Sequence, residues 1–281
     1  MAELALFGGP RIRTRPFPSW PIFGEAEEQR LLRALRSGHW GRLDGAEVSE
    51  FEERFAAMHG CAHGIAVVNG TVALRVALLA AGIRGGDEVI VPPYTFVATA
   101  SAVIEANAVP VFADIDLHTF NLDPEAVAGA ITPRTKAIIP VHFAGGPADI
   151  ARLKDIVRGR GIAIIEDAAH AHGASYEGKP AGSHGDLATF SFQSSKNLTS
   201  GEGGIITTND DGLAGACRSI QNCGRVPGGV WYEHHVVSGN YRLGELQGTL
   251  ALLDDSFRAV IVGDGPDRIV VEDEIDRLAL R

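Results

Sequence analysis

Seven short runs of β-branched and other apolar residues recur along the chain, and they constrain the fold more than any other feature. Turn residues bound each run, and the runs lie at 64–68, 88–91, 110–113, 137–141, 162–165, 187–191 and 204–208. Nearly continuous apolar runs of this length predict strands that are buried on both faces of a sheet. Helical patterns separate most of the runs, at 71–81, 96–106 and 149–158. Strands that alternate with helices predict an α/β fold with a mostly parallel seven-stranded sheet and helices on both faces.

The pattern divides the chain into three predicted parts. Residues 1–60 combine an extended, proline-rich segment with two charged helical segments, and they predict an N-terminal arm with helices that cover the sheet. Residues 61–253 contain all seven predicted strands and therefore form the predicted large domain. Residues 254–281 change character, and their pattern indicates a hairpin followed by an acidic helical end.

Charge and composition argue against several classes of protein. The net charge of −10 argues against a nucleic-acid partner, because binding a phosphate backbone requires clustered lysines and arginines. The sequence has no apolar run close to the roughly 18 residues that a membrane helix needs, and its first residues do not resemble a signal peptide. Three cysteines without metal-binding spacing fit a reducing compartment. We therefore expect a cytoplasmic protein with neither nucleic acid nor membrane as partner, and no metal site.

Candidate binding residues follow the first two predicted strands. Ligands of open α/β sheets bind at the carboxyl ends of the strands. Asn69-Gly70-Thr71 follows the first strand and opens a helix, whose backbone amides attract a phosphate. Tyr94 and Phe96 follow the second strand, and an aromatic ring there can lie flat on a planar cofactor. Alone, each signal is ambiguous, because Asn-Gly turns and core aromatics are common.

The fifth and sixth predicted strands are followed by ionisable residues. Asp167 and His170 follow the fifth, where a carboxylate can pair with a pyridinium nitrogen, although a helix cap and a structural imidazole are equally good readings. Lys196 follows the sixth strand in a loop rich in glycine and serine, and the other three lysines lack such a placement. A lysine desolvated there has a lowered pKa and can form a Schiff base. Together these groups are what an enzyme using pyridoxal 5′-phosphate (PLP) needs.

The residues also lie in motifs that resemble the DegT/DnrJ/StrS aminotransferases, fold type I PLP enzymes that act mostly on keto sugars. The resemblance extends from about residue 17 to residue 253, so the large domain at 61–253 is the expected PLP-binding domain. The motifs that carry it are NGTVAL at 69–74, GDEVIVP at 86–92, YTFVAT at 94–99, EDAAHA at 166–171, FSF at 190–192 with Lys196, GEGG at 201–204 and NYR at 240–242.

The resemblance implies how the cofactor ring is held. Lys196 would bind PLP as a Schiff base and then act as the general base and acid of the reaction. Asp167 would keep the pyridine nitrogen protonated, and His170 would lie near the ring hydroxyl. Phe96 would stack on the ring, with Tyr94 as the alternative stacking partner.

The resemblance also implies a phosphate site and a quaternary structure. Gly70, Thr71 and Ser191 would bind the phosphate. Asn240 would reach the phosphate of the neighbouring subunit, which implies a homodimer with shared active sites. The family normally continues into a smaller C-terminal domain, and residues 254–281 are too few for it. We therefore expect a short, divergent tail in its place.

The implied activity is transfer of an amino group from glutamate or glutamine to a keto sugar, expected to be nucleotide-linked, or to a related cyclic ketone. Such reactions belong to the biosynthesis of secondary metabolites or surface polysaccharides. The alternative is a catalytically silent or truncated PLP-fold protein, or a partner subunit. A PLP dehydratase is disfavoured, because such family members carry histidine where this chain has Lys196. A nicotinamide-dependent enzyme is disfavoured, because no strand is followed by a complete G-x-G-x-x-G.

Overall fold

A seven-stranded sheet forms the centre of the molecule in the computed structural model, which describes residues 5–9, 19–226 and 228–252. The expected tail at 254–281, with its predicted hairpin and acidic helical end, lies outside the described residues. The strands of the sheet are β1 His63–Val67, β2 Glu88–Val91, β3 Val109–Phe112, β4 Thr135–Ile138, β5 Ala163–Asp167, β8 Leu187–Ser191 and β9 Gly204–Thr208. Two short strands, β6 Ser175–Tyr176 and β7 Lys179–Pro180, form a separate antiparallel pair.

The order of the strands across the sheet is β1-β9-β8-β5-β4-β2-β3. β9 runs antiparallel to both of its neighbours, and every other neighbouring pair is parallel. The predicted mostly parallel α/β sheet is therefore confirmed. Because β5, β8, β4 and β2 all run the same way, their carboxyl ends meet at one edge of the sheet.

Two strands differ from the sequence-based prediction. β3 is not buried on both faces: Val109 is 47% exposed and Phe112 is 57% exposed, because β3 lies at the edge of the sheet and pairs only with β2. β5 continues past its apolar run to include Glu166 and Asp167. Polar side chains extend this strand because both are buried and hydrogen-bonded.

Helices cover the sheet on both faces, as predicted. In chain order they are α1 Glu25–Ser37, α2 Glu47–Met58, α3 Gly70–Ala80, α4 Ala98–Glu105, α5 Pro124–Ala130, α6 Ile150–Val157, α7 Asp211–Gln221 and α8 Glu245–Ala251. Two 3-10 turns lie at Ala5–Phe7 and Phe143–Gly145. Among the described residues, no helix has both the length and the apolar character needed to cross a bilayer.

The core lies in layers above and below the sheet. On one face, α3, α4 and α7 bury apolar side chains against β1, β2 and β8 in a cluster that includes Ile65 and Val67. On the other face, α2 and α8 cover one half of the sheet, where Ala66 and the rings of Phe55 and Phe190 pack, while α6 covers the other half. Successive residues of β1 thus point to opposite faces, and both faces are buried, which keeps the sheet rigid behind its carboxyl edge.

The helices before residue 60 pack in different ways. α2 buries Val48, Phe51 and Phe55 in the cluster that also contains the rings of Phe190 and Phe192. The buried Glu52 of α2 accepts a hydrogen bond from the backbone N–H of Ala66 at 2.9 Å, which fixes the helix to β1. α1 packs mainly on α8. The domain boundary at residue 60 stays a prediction.

Candidate active site

A cavity of about 740 Å³ opens at the carboxyl edge of the sheet, between the ends of β1, β2, β5 and β8. Seven of the eight predicted site residues line this cavity, which we call the main cavity: Gly70, Thr71, Phe96, Asp167, His170, Ser191 and Lys196. The eighth, Asn240, is exposed outside it and pairs with Asn222 through a backbone bridge. The structure therefore brings together the residues that sequence reasoning assigned to one subunit. The roles of all eight stay predictions.

One end of the main cavity is formed by the N-terminus of α3. The Asn69 side chain caps this helix, accepting a hydrogen bond from the N–H of Val72 at 2.8 Å. A Cβ atom on Gly70 would lie 2.8 Å from the Cβ of Ser191, so only glycine allows β8 to come this close. The Ser191 side chain thus lies beside the first residue of α3. Such an arrangement attracts an anion, because the helix dipole and unpaired N–H groups are both directed at it.

Asp167 ends β5 at the base of the main cavity. Its side chain is 6% exposed and accepts hydrogen bonds from the Thr99 hydroxyl at 2.8 Å and from the N–H of Ala169 at 3.3 Å. The Thr99 hydroxyl is in turn 2.8 Å from that of Thr95. No cation pairs with Asp167 among the described residues. A buried carboxylate without a cation is costly, so the site is suited to a ligand that brings a positive charge to this oxygen.

Lys196 lies in the loop between β8 and β9. The loop is closed at its base by the Phe192 backbone, which bonds to Gly203 and Ser200, and its tip is folded by the N–H of Lys196 donating to the Gln193 carbonyl at 2.9 Å. Partial burial lowers the pKa of the Lys196 amine, although the charge of Asp167 opposes the shift. No carboxylate lies within ion-pair distance of Lys196 in the described part of the chain. A larger neutral fraction makes the amine more nucleophilic.

His170 completes the polar lining beside Lys196. Partial burial and the positive charge of Lys196 lower the pKa of the imidazole, while Asp167 raises it. The ring is therefore neutral near pH 7, and it acts as a hydrogen-bonding group instead of a fixed charge.

The structure distinguishes between the two aromatic candidates. The Tyr94 ring packs on Phe143, with centroids 4.6 Å apart, and on Phe120 at 5.9 Å. Phe96 is 72% exposed and contacts no other ring among the described aromatic residues. The face of Phe96 is therefore free for a planar ligand, whereas Tyr94 belongs to an aromatic wall. This contrast favours Phe96 as the stacking residue.

Sequence reasoning missed several groups at the site. Thr99 was not identified; it lies in the first turn of α4, and its hydroxyl contacts both Thr95 and Asp167. Phe143, Ser195 and Glu202 also line the main cavity. Phe143 carries no sequence signal, because only the packing of its loop brings it to Tyr94.

Behind the site, Glu166 ties the end of β5 to its surroundings. Glu166 and His142 are both fully buried, with Oε2 and Nε2 2.8 Å apart. The backbone N–H groups of Gly182, His184 and Gly185 also donate to this carboxylate. Burial alone would raise the pKa of Glu166, but the hydrogen bond and charge of His142, with those amides, lower it. A satisfied carboxylate at this position holds the neighbouring Asp167 in place.

Fold and site together define an α/β protein of the PLP-dependent transferase type. Residues 21–254 match the model of the DegT/DnrJ/EryC1/StrS aminotransferase family, and the chain belongs to this family. The crystal structure of 3-amino-5-hydroxybenzoic acid synthase is similar to 85% of this chain, with a TM-score of 0.82 and 45% sequence identity. The resemblance and the fold type expected from the sequence are thus confirmed.

Two curated relatives have activities in their names. A 3-amino-5-hydroxybenzoate synthase from Amycolatopsis mediterranei (strain S699) is 46% identical over 86% of this chain, and an L-glutamine:2-deoxy-scyllo-inosose aminotransferase from Streptomyces kanamyceticus is 44% identical over 92%. The chain spans 64% and 62% of the length of these two relatives, and 63% of the solved synthase.

Proposed function

We propose that this chain forms the PLP-binding part of an aminotransferase that moves an amino group from glutamine or glutamate to a keto sugar or a related cyclic ketone. The observation that carries the proposal is a partly buried Lys196 in the same cavity as a buried Asp167 that forms no ion pair with any described residue. The relatives named above support the reaction class, since one is named for L-glutamine and a cyclic ketone.

The residues of the main cavity fit PLP group by group. The Gly70–Ser191 contact leaves a small cradle at the start of α3 for a phosphate. The buried carboxylate of Asp167 suits a protonated ring nitrogen, and the free face of Phe96 suits a planar ring. When bound, PLP supplies an electron sink for the negative charge that develops beside the transferred nitrogen.

Each residue then has a separate task. The Lys196 amine would hold the cofactor and would then act as general base and acid, taking the proton from the donor's α-carbon and delivering it to the cofactor carbon. Asp167 keeps the ring nitrogen protonated, and Thr99 fixes the orientation of that carboxylate through its 2.8 Å hydrogen bond. His170, neutral near pH 7, hydrogen-bonds the ring hydroxyl.

A homodimer with shared sites is part of the proposal. Asn240 is exposed outside the main cavity, as expected for a residue that contacts a neighbouring subunit. The loop before it exposes large apolar side chains: Val230, Trp231, Tyr232 and Val237. Light scattering should give the mass of two chains, and a monomer would contradict this part of the proposal. The cytoplasm is the proposed compartment, supported by the free thiols of all three cysteines.

The test is the visible absorption of the protein after loading with PLP and dialysis. The parent and a Lys154→Ala control should retain the band of the lysine-bound cofactor, and Lys196→Ala should lose or shift it. Lys154 is a suitable control because it is exposed on α6 and far from the cavity lining.

Addition of L-glutamine to the loaded parent should then bleach the band. A band that depends on Lys196 but ignores both amino donors would favour the catalytically silent protein instead. A parent protein that retains no band after dialysis contradicts the proposal.

A further inference from the structure

The turn that carries Lys196 is held by a residue from a distant part of the chain. The N–H of Lys196 donates to the carbonyl of Gln193, so residues 193–196 form a β-turn. The indole N–H of Trp20 donates to the carbonyl of Ser194 at 2.8 Å. Ser194 is the second residue of the turn, and its carbonyl belongs to the central peptide group. The bond from Trp20 is therefore made to the middle of the turn.

Local hydrogen bonds give this turn its shape, but they do not attach it to the rest of the molecule. Phe192 and Leu198 are buried in the core, and the turn lies between them. The other described hydrogen bonds of the turn have both partners within residues 191–196. Within the described part of the chain, the bond from Trp20 is thus the one hydrogen bond that ties residues 193–196 to a distant element.

The central peptide group of the turn is held at both of its ends. Its carbonyl, from Ser194, accepts the indole N–H, and its N–H, from Ser195, donates to Oε1 of Gln193 at 2.8 Å. Gln193 and Ser195 line the main cavity together with Lys196, whereas Trp20 lies outside the lining. Trp20 therefore acts on the cavity through the backbone of the loop.

The segment that carries Trp20 is fixed at its other end. It leads into α1, where the N–H of Gly24 donates to Oε2 of Glu27 at 2.7 Å. α1 in turn packs mainly on α8. The Trp20 side chain is half-exposed, so neighbouring residues cover the rest of it. The segment therefore connects the helical layer to the turn.

We propose that Trp20 is a positioning residue for Lys196, and that its indole N–H holds the turn where the lysine amine faces the main cavity. The inference rests on the proposed function, because the reaction requires this amine beside the cofactor and the donor. Since Trp20 lies outside the cavity lining, it contributes by raising the fraction of molecules in which Lys196 is correctly placed. A neutral hydrogen bond changes such an equilibrium by roughly twofold to tenfold.

The first test measures the chemical reactivity of the lysine in the full chain without cofactor. Acetic anhydride, which reacts with neutral amines, is applied at a series of pH values, and mass spectrometry follows Lys196, with the exposed Lys154 as the internal reference for reagent dose. Partial burial lowers the pKa of the Lys196 amine. Trp20→Phe keeps a ring but removes the N–H, so the freed turn should expose the amine to water and raise its pKa. The labelling midpoint of Lys196 should therefore shift to higher pH.

Trp40→Phe is the matched control for this experiment. The Trp40 indole N–H also donates to a backbone carbonyl, that of Leu35, at 3.0 Å, and its ring is likewise half-exposed. This bond does not involve the Lys196 turn, so the labelling midpoint of Lys196 should stay at the parent value. Equal shifts in the two variants, or no shift in Trp20→Phe, would overturn the inference.

An isosteric replacement separates the hydrogen bond from the packing of the ring. Benzothienylalanine at position 20 has the shape of tryptophan with sulfur in place of the indole N–H, so it keeps the packing and loses the donor. It should reproduce the shift of Trp20→Phe, and it serves in its place if that variant does not fold. A midpoint equal to that of the parent would show that the N–H does not position the lysine, and it would overturn the proposal.

Donor kinetics provide a second readout, in the PLP-loaded protein. In Trp20→Phe, the rate of bleaching at saturating L-glutamine should fall roughly twofold to tenfold. The concentration of L-glutamine that gives half of this rate should stay at the parent value, because Trp20 does not line the cavity. A change confined to the half-saturating concentration would contradict a positioning role.

The two proposals fail in different ways. A parent that shows no bleaching with either amino donor, but whose Lys196 labelling still depends on Trp20, would remove the aminotransferase and retain the positioning of the amine. Bleaching at the same rate in the parent, Trp20→Phe and Trp40→Phe, with no shift of the labelling midpoint, would retain the aminotransferase and remove the positioning role.

Discussion

Two neighbouring carboxylates at the end of β5 have opposite surroundings. Glu166 is fully buried and is satisfied by His142 and by three backbone amides of the 182–185 turn. Asp167 is almost as buried, and its side chain faces the main cavity. Among the described residues it accepts hydrogen bonds from the Thr99 hydroxyl and, over a longer distance, from the N–H of Ala169. The difference shows how to separate a structural acid from a functional one. The structural acid has its hydrogen bonds supplied by the protein, whereas the proposed functional acid keeps hydrogen-bonding capacity for a ligand.

The largest expected effect comes from breaking the structural side of this comparison. Glu166→Ala should lower the free energy of unfolding by about 3–5 kcal/mol, because it leaves His142 and several amides buried without a partner. Urea unfolding measures this change. Asp167→Ala is the paired control and should cost clearly less, since its carboxylate has fewer protein partners. Equal destabilisation by both variants would show that the comparison is wrong.

The next-largest expected effect is a loss of stability in acid, caused by two buried histidines. Burial lowers the pKa of His59 to about 4, and burial together with the charge of His59 lowers that of His172 to about 3. Both stay neutral in the folded state, while the unfolded chain takes up protons below about pH 6.5. The free energy of unfolding should therefore fall as the pH drops from about 6.5 toward 4, by about 1.4 kcal/mol per pH unit for each imidazole.

Urea titrations at several pH values measure this slope. His172→Gln should make it shallower, while the exposed His118→Gln should leave it unchanged. A stability that does not change between pH 6.5 and 5 would mean that these imidazoles are not buried as neutral groups.

The functional side of the comparison is tested by Asp167→Asn. The substitution keeps the size and the Thr99 contact but removes the charge that would pair with the ring nitrogen. We expect glutamine-dependent bleaching to slow by roughly tenfold to a hundredfold, which corresponds to about 1.5–3 kcal/mol for a charge-assisted hydrogen bond. Stopped-flow absorbance measures the rate. A normal rate would remove Asp167 from the proposed site.

The smallest effect is expected from Thr99→Val, which removes the hydroxyl that orients Asp167. Loss of one hydrogen bond of about 0.5–1.5 kcal/mol should slow the same step by roughly twofold to tenfold. Ser101→Ala, on the same helix, is the matched control, because the Ser101 hydroxyl donates to the Ala98 carbonyl at 3.4 Å and not to Asp167. A rate equal to that of the control would show that Asp167 needs no help from Thr99.

Local pattern accounts for much of the fold and for the grouping of seven of the eight predicted site residues around one cavity. The apolar runs predicted the strands because both faces of the sheet are covered. The residues that follow these strands lie together at the carboxyl edge of the sheet and line the main cavity. Lys196 and Asp167 could be selected because strand ends of a parallel sheet converge.

Features that depend on distant contacts could not be predicted. The exposure of β3 follows from its place at the end of the strand order, which no local pattern encodes. The choice between Phe96 and Tyr94 depends on Phe143, whose loop is held by Asn121. Likewise, the partners of Glu166 come from His142, in the segment after β4, and from the 182–185 turn, so its structural role is visible only in three dimensions.

The return strand after the Lys196 loop is in tight contact with the helix that would bind phosphate. A Cβ atom on Gly204 would lie 2.5 Å from the backbone carbonyl of Asn69 and 2.8 Å from the amide of Gly70. The two ends of the main cavity are therefore in direct backbone contact. A displacement of the strand that follows the Lys196 loop would also displace the start of α3. The distance between Lys196 and the anion site is therefore fixed by the fold.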